Sequence, residues 1–308
     1  MEQKSMTALV SAFARWYHAE HNDVKLFDDS LAEKILTDDE KRQIANSMCD
    51  GIGFFNPGFH GDREDALRWI VDNQLSPTPL GRAVWAEKSL EMAVKEGATQ
   101  YLIIAAGYDT FPYRQPKWAA PLQIFELDHP GMSLDKQARV KKSFDVRPSN
   151  LTYIPIELTK ESLSEKLYSC AVYDRQRLTF CSLLGISYYL SKEHFSALLR
   201  SIASSVATGS LIAFDYPDEC THTNHAGKTA QRSATLAAGA GETMLAAYSH
   251  NDIARLLCDC GFRIHAHLTP DEMTEQYFND YNTATPDHLI TASDNVNYCL
   301  AERVKIPS

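Results

Sequence analysis

Seven short apolar runs, separated by longer segments, constrain what this chain can fold into: "QYLIIAAG", "LQIFELD", "LTYIPIEL", "LTFCSLLG", "SLIAFDYP", "FRIHAHL" and "NYCLAERV", all from Thr99 onward. Near-continuous apolar strands that alternate with helix-length segments predict a mainly parallel sheet covered on both faces, an α/β, doubly wound, Rossmann-like architecture. Between the fourth and fifth runs, "SKEHFSALLRSIASSV" offers Ser191 as an N-cap and Phe195, Leu198, Leu199, Ile202 and Val206 as one helical stripe. The last two runs are joined by roughly thirty residues, a length that is uncommon unless functional or mobile. Segment 219–248 reads as an irregular, mobile loop. Its "AAGAGE" lacks the lysine of a phosphate loop and follows no strand directly.

Residues 1–98 carry helical signals and no convincing strand, so the chain divides into an N-terminal helical lid region, 1–98, and a ligand-binding core, 99–308. Thr37 and Glu40 have capping-box spacing, and a helix after Pro79 ends plausibly at Gly97. Met6, Leu9, Val10, Phe13, Trp16 and Tyr17 fall on one face of a helix that packs on the body.

A formal net charge of −10 over 308 residues argues against nucleic acid as the partner, since that binding needs a concentrated basic face. The one basic cluster, Lys136, Arg139, Lys141, Lys142 and Arg147, reads as a solvated helix face. Seven scattered cysteines without a CxxC pair or histidine-rich spacing point to reduced thiols and no metal. No run is long enough to cross a bilayer and no signal-peptide h-region opens the chain, so a soluble, cytoplasmic protein is expected.

Ligands of doubly wound sheets sit beyond the carboxyl ends of the strands, at the point where connections leave in opposite directions. The first run ends there in Ala105, Ala106 and Gly107, small enough to let a ligand approach the backbone. The second ends in Asp128, 21 residues beyond Gly107, near the spacing at which an acid takes ribose hydroxyls. Glu126 points to the same side of that strand. A dinucleotide usually requires a G-x-G-x-x-G turn, but this turn reads "AAGYDTFPYR", and Asp109 places negative charge where a phosphate would lie. A nucleoside with a cationic or zwitterionic attachment fits better, and S-adenosylmethionine has that character.

"ATQYLIIAAGYDTFPYRQP" followed by "FELDHPGMSLDKQ" resembles the leucine carboxyl methyltransferase family, which includes bacterial O-methyltransferases associated with polyketide pathways and so with secondary metabolism. "LFDDSLAEKIL", the Arg82 helix and "SYYLSKEHFSALL" extend the resemblance over most of the chain. It implies that Arg82 holds the methionyl carboxylate of S-adenosylmethionine. It implies further that Ala105 and Gly107 form the cofactor turn, that Asp128 binds ribose, and that Glu157 and Leu158 lie beside adenine. Guanidinium forks suit carboxylates, and carboxylates accept from hydroxyls and amino groups. Two departures stand out: Ala105 replaces a glycine, and Leu184, in "SLLGISYYL", occupies the family's acid position, so that carboxylate contact is lost or supplied elsewhere.

The expected activity is O-methyl transfer to a small molecule. A carboxyl acceptor is slightly favoured because it is already ionised, whereas a phenol, with a pKa of about 10, would benefit from a base. His129, His222 and His225 are candidate bases, and Tyr188, Tyr189 and Tyr216 lie near strand ends where an acceptor pocket should form. Of the histidines, His222 joins the three tyrosines as a candidate acceptor-binding residue. Methylation of a protein C-terminal carboxylate is a narrower variant. A non-catalytic S-adenosylmethionine sensor is the alternative that Leu184 motivates, and a nicotinamide oxidoreductase suffers from the missing phosphate turn.

Overall fold

The computed structural model describes residues 5–305. All seven apolar runs form strands: β1 (Gln100–Ile104), β2 (Gln123–Asp128), β3 (Leu151–Pro155), β4 (Thr179–Leu183), β5 (Leu211–Pro217), β6 (Phe262–Leu268) and β7 (Val296–Arg303). They make one seven-stranded sheet in the order β3-β2-β1-β4-β5-β7-β6. Strands β1 to β5 are parallel, and β7 inserts antiparallel between β5 and β6. The order reverses between β1 and β4, so the turns after these two strands open a crevice at the switch point.

The N-terminal segment is helical: α1 (Met6–His21), α2 (Ala32–Ile35), α3 (Asp38–Asp50), α4 (Ile52–Phe55), α5 (Arg63–Ile70) and α6 (Pro77–Lys95), with a π-helical turn at Val71–Leu75. Thr37 and Glu40 close the expected capping box on α3. Helix α6 begins at Pro77, two residues before the predicted Pro79, because proline is tolerated in a first helical turn, where its missing N–H has no intrahelical partner.

The remaining helices are α7 (Pro130–Ser143), α8 (Leu163–Tyr168), α9 (Lys192–Ser205), α10 (Lys228–Gly239), α11 (His250–Asp259), α12 (Pro270–Met273) and α13 (Asn279–Ala284). Ser191 caps α9, and Phe195, Leu198, Leu199 and Ile202 are buried along its predicted stripe. Each such side chain contributes about 1.5–3 kcal/mol of burial. One face of the sheet packs Ile104, Leu127, Leu183 and Phe214 against α8, α9 and α11. The other packs Tyr101, Ile103, Phe180 and Ala213 against Leu80, Trp85 and Leu90 of α6.

Two expectations are corrected. Segment 219–248 contains α10, whose "KTAQRSATLAAG" draws on alanine's helix propensity more than on a strong apolar stripe. The basic cluster is not one solvated face. Lys136 is 2% exposed and its Nζ lies 2.7 Å from Glu126 Oε1, while Arg139 is gripped by both oxygens of Glu40 at 2.7 and 2.8 Å and by Asp135. One helical turn apart, Lys136 and Arg139 look inward, and Lys141, Lys142 and Arg147 remain exposed. Burial raises the Glu126 carboxyl to about 7 against the opposing pull of Lys136.

Among the described residues no helix is long and apolar enough to cross a membrane, and no group of three His, Cys, Asp or Glu side chains could hold a metal.

Candidate functional site

Two strand-end turns face each other across the switch point. After β1, Ala105 (φ +56°) and Gly107 (φ +48°) both adopt left-handed backbone. That conformation costs an L-residue about 1–2 kcal/mol, so glycine suits position 107 and alanine at 105 carries strain. The Gly107 N–H donates to Asp128 Oδ2 at 2.6 Å, and the His129 N–H donates to Oδ1 at 2.7 Å. Asp128 thus ties the end of β2 to the turn after β1. Burial raises its carboxyl above the usual carboxylate range, and the two backbone N–H groups oppose that rise.

Asp109 has a local task. Its Oδ1 accepts the N–H of Phe111 two residues on at 2.7 Å, an Asx turn that leads into the 3₁₀ turn Phe111–Tyr113. Glu157, after β3, pairs with Lys160 at 2.6 Å and lies 3.7 Å from His129 Nε2. The Lys160 hydrogen bond holds the Glu157 carboxyl below its usual range. Leu158 is partly buried against the core.

Across the crevice, β4 leads into Leu184 and Gly185 (φ +68°). A Cβ at Gly185 would fall on Arg82 Nη1, so the absence of a side chain there makes room for the guanidinium reaching over from α6. Arg82 is 19% exposed, its nearest carboxylate oxygen is Asp215 Oδ2 at 3.7 Å, and no hydrogen bond from its guanidinium is formed among the described residues. A guanidinium in this setting could hold an anion, and its planar fork has the geometry to match a carboxylate.

Asp215, near the end of β5, is fully buried. Its Oδ1 accepts from the Gly185 N–H at 2.7 Å and its Oδ2 from the Tyr188 hydroxyl at 2.9 Å. Tyr189 is partly buried nearby, close to Thr7 and within the field of Arg82, Glu242 and Asp215. Thr7 Oγ1 donates to Glu242 Oε2, which joins the start of α1 to the segment after α10. Ala8, next along α1, lies 3.7 Å from where a Cβ on Gly107 would sit. These contacts place both the N-terminal helix and the segment after α10 over the crevice.

The sequence-predicted residues therefore fall into groups. Ala105, Gly107 and Asp128 converge on one side with Glu157 beyond them, and Arg82, Tyr188 and Tyr189 converge on the other. Tyr216 lies apart, because the pleat turns it to the opposite face of β5 from Asp215. Its hydroxyl meets His267 Nε2 at 2.8 Å beside a separate cavity of about 460 Å³ that Arg82, Gly107 and Asp128 do not line. His222 is exposed, with Nε2 3.2 Å from the Ala246 carbonyl oxygen. His129 accepts the Gly131 N–H at 3.2 Å as the cap of α7, and His225 is exposed. Sequence reasoning passed over Asp215 and Gly185. The signal for the first was present, since Asp215 is the only charged residue in the run "SLIAFDYP".

The strand order with its antiparallel β7 is that of the α/β methyltransferase fold, and the relatives in sequence are S-adenosylmethionine-dependent methyltransferases, the class to which the chain belongs. Two solved structures share the fold over nearly the whole chain. A methyltransferase from Thermobifida fusca superposes with a TM-score of 0.58 at 15% identity, covering 99% of this chain and 97% of that one. A DUF574 family protein from Streptomyces avermitilis superposes at 0.59 with 13% identity, covering 95% and 97%. In sequence, YktD of Bacillus subtilis (strain 168), named for S-adenosyl-L-methionine-dependent methyl transfer, is 36% identical over 283 residues, 90% of this chain and 92% of the relative. A similarly named protein from Frankia alni is 28% identical over 213 residues, 68% of each chain. The sequence pattern of leucine carboxyl methyltransferases matches residues 8–203, and this protein belongs to that family.

Proposed function

We propose that the protein is an O-methyltransferase that moves the methyl group of S-adenosylmethionine to a small molecule, with a carboxyl group as the favoured acceptor. The observation that carries this reading is Arg82, a mostly buried guanidinium that makes no hydrogen bond among the described residues, set across the switch point from Asp128. Arg82 would hold the methionyl carboxylate, Asp128 the ribose hydroxyls, and Glu157 with Leu158 the adenine. Ala105 and Gly107 leave the space these groups need.

S-adenosylmethionine supplies a methyl group on a sulfonium. The protein's part is to align the acceptor in line with it and to exclude water. The start of α1 and the segment around Glu242, joined through Thr7, serve as the cover. Tyr189 lines the acceptor side and Tyr188, buried with its hydroxyl on Asp215, supports it from below, and substrate choice resides in the appended elements over them. A carboxyl acceptor is favoured because His129 is committed to capping α7 and His222 Nε2 lies against the Ala246 carbonyl oxygen, while an ionised acceptor needs no base.

Incubation with methyl-labelled S-adenosylmethionine and matched panels of small carboxylic acids and phenols tests the proposal. Label appearing in base-labile esters is the expected result. Label in base-stable ethers would reassign the acceptor to a hydroxyl, and cofactor binding without transfer to either panel would favour a sensor.

A further inference from the structure

We propose that Asp215 is a positioning residue for the carboxylate end of the cofactor, acting through Arg82 and the Gly185 turn. This rests on the reading of Arg82 given above. Leu184 leaves the turn after β4 without an acid of its own, and Asp215 enters the same turn from the neighbouring strand. Both of its oxygens are engaged: Oδ1 fixes the Gly185 N–H at 2.7 Å and Oδ2 takes the Tyr188 hydroxyl at 2.9 Å.

Those two bonds set the turn on which Arg82 lies, because the guanidinium occupies the volume a Gly185 side chain would fill. At 3.7 Å from Arg82 Nη1, Asp215 Oδ2 is close enough to attract the charge and too far to consume an N–H in a hydrogen bond. The guanidinium is therefore held in place with its donors left for a ligand. Full burial keeps Asp215 itself out of ligand contact, so its influence passes through its neighbours. The buried backbone carbonyl of the same residue accepts from Ser187 Oγ at 2.6 Å, which ties the turn to β5 a third time.

Calorimetry with two probes separates this role from a purely structural one. S-adenosylhomocysteine carries the amino-acid carboxylate, and 5′-methylthioadenosine lacks the amino-acid group. Asp215→Asn removes the charge that attracts Arg82 and replaces one acceptor oxygen by an N–H, and is expected to weaken S-adenosylhomocysteine at least tenfold while methylthioadenosine stays within twofold. In an Arg82→Ala background the same substitution should cost no further affinity for S-adenosylhomocysteine. Tyr188→Phe, which removes one partner and no charge, should weaken S-adenosylhomocysteine about threefold and spare methylthioadenosine, and it serves if Asp215→Asn does not fold.

Equal losses for both probes, or additive losses with Arg82→Ala, would overturn the proposal, as would an unchanged Tyr188→Phe. Wild-type protein that binds both probes equally would instead overturn the reading of Arg82 on which it rests.

Discussion

The two turns at the switch point are built on one device and put to different uses. In each, a carboxylate near the end of the adjacent strand accepts the N–H of a left-handed glycine: Asp128 from Gly107 at 2.6 Å, and Asp215 from Gly185 at 2.7 Å. The sheet sets β2 beside β1 and β5 beside β4, so the pairs flank the reversal in strand order. What separates them is burial. Asp128 is partly exposed, open to a ligand's hydroxyls, whereas Asp215 is 0% exposed beneath the turn it holds. The same bond holds a partly exposed acid on one side and a wholly buried one on the other, and on the reading proposed above the first binds the cofactor while the second positions its neighbours.

Substitution at the two glycines should break the likeness most visibly. Gly185→Ala meets a left-handed φ and pushes aside the flexible end of Arg82, so it should abolish S-adenosylhomocysteine binding, while the backbone penalty lowers Tm. Gly107→Ala meets only the backbone penalty, since its nearest obstacle is Ala8 at 3.7 Å; a stability loss of about 1–2 kcal/mol by denaturant titration is expected. Equal losses of S-adenosylhomocysteine affinity at the two sites would show that the space Gly185 leaves for Arg82 is unimportant.

Asp128→Ala should weaken S-adenosylmethionine by at least about 1 kcal/mol, the size of a lost charge-assisted contact. The pH dependence sharpens the point. The Asp128 carboxyl is raised by burial, and the ionised form is the better acceptor for hydroxyls, so affinity should fall on acidification, beginning above the usual Asp value of about 4. Calorimetry across pH should show this limb flattened in Asp128→Asn. The smallest effect belongs to Ala105→Gly, which relieves the strain at φ +56° and should raise stability by about 0.5–1 kcal/mol, read as a small increase in Tm.

Strands β1, β4 and β5 were legible because strands buried on both faces read as continuous apolar runs and need no partner to be recognised. Asp128 was legible as a position because an acid closes an apolar run at a spacing that a βαβ unit dictates. Asp215 offered the same local signal, but its partner Gly185 lies on another strand, and nothing in either run names the other. The inward turn of Lys136 and Arg139 was hidden for a related reason: their counter-charges, Glu126 and Glu40, come from β2 and the distant α3. Helix α10 was missed because alanine and glycine cluster at its end and its apolar stripe is thin. Arg82 carried no signal of its own on a helix, and only family resemblance singled it out.

The central claim is that these two turns together form an S-adenosylmethionine cleft, and calorimetry with S-adenosylmethionine on wild type, Arg82→Ala and Asp128→Ala tests it most directly. The account predicts binding by wild type and a loss of about 1 kcal/mol or more in each variant, one from either side of the crevice. No binding by wild type, or binding unchanged in both variants, would contradict it.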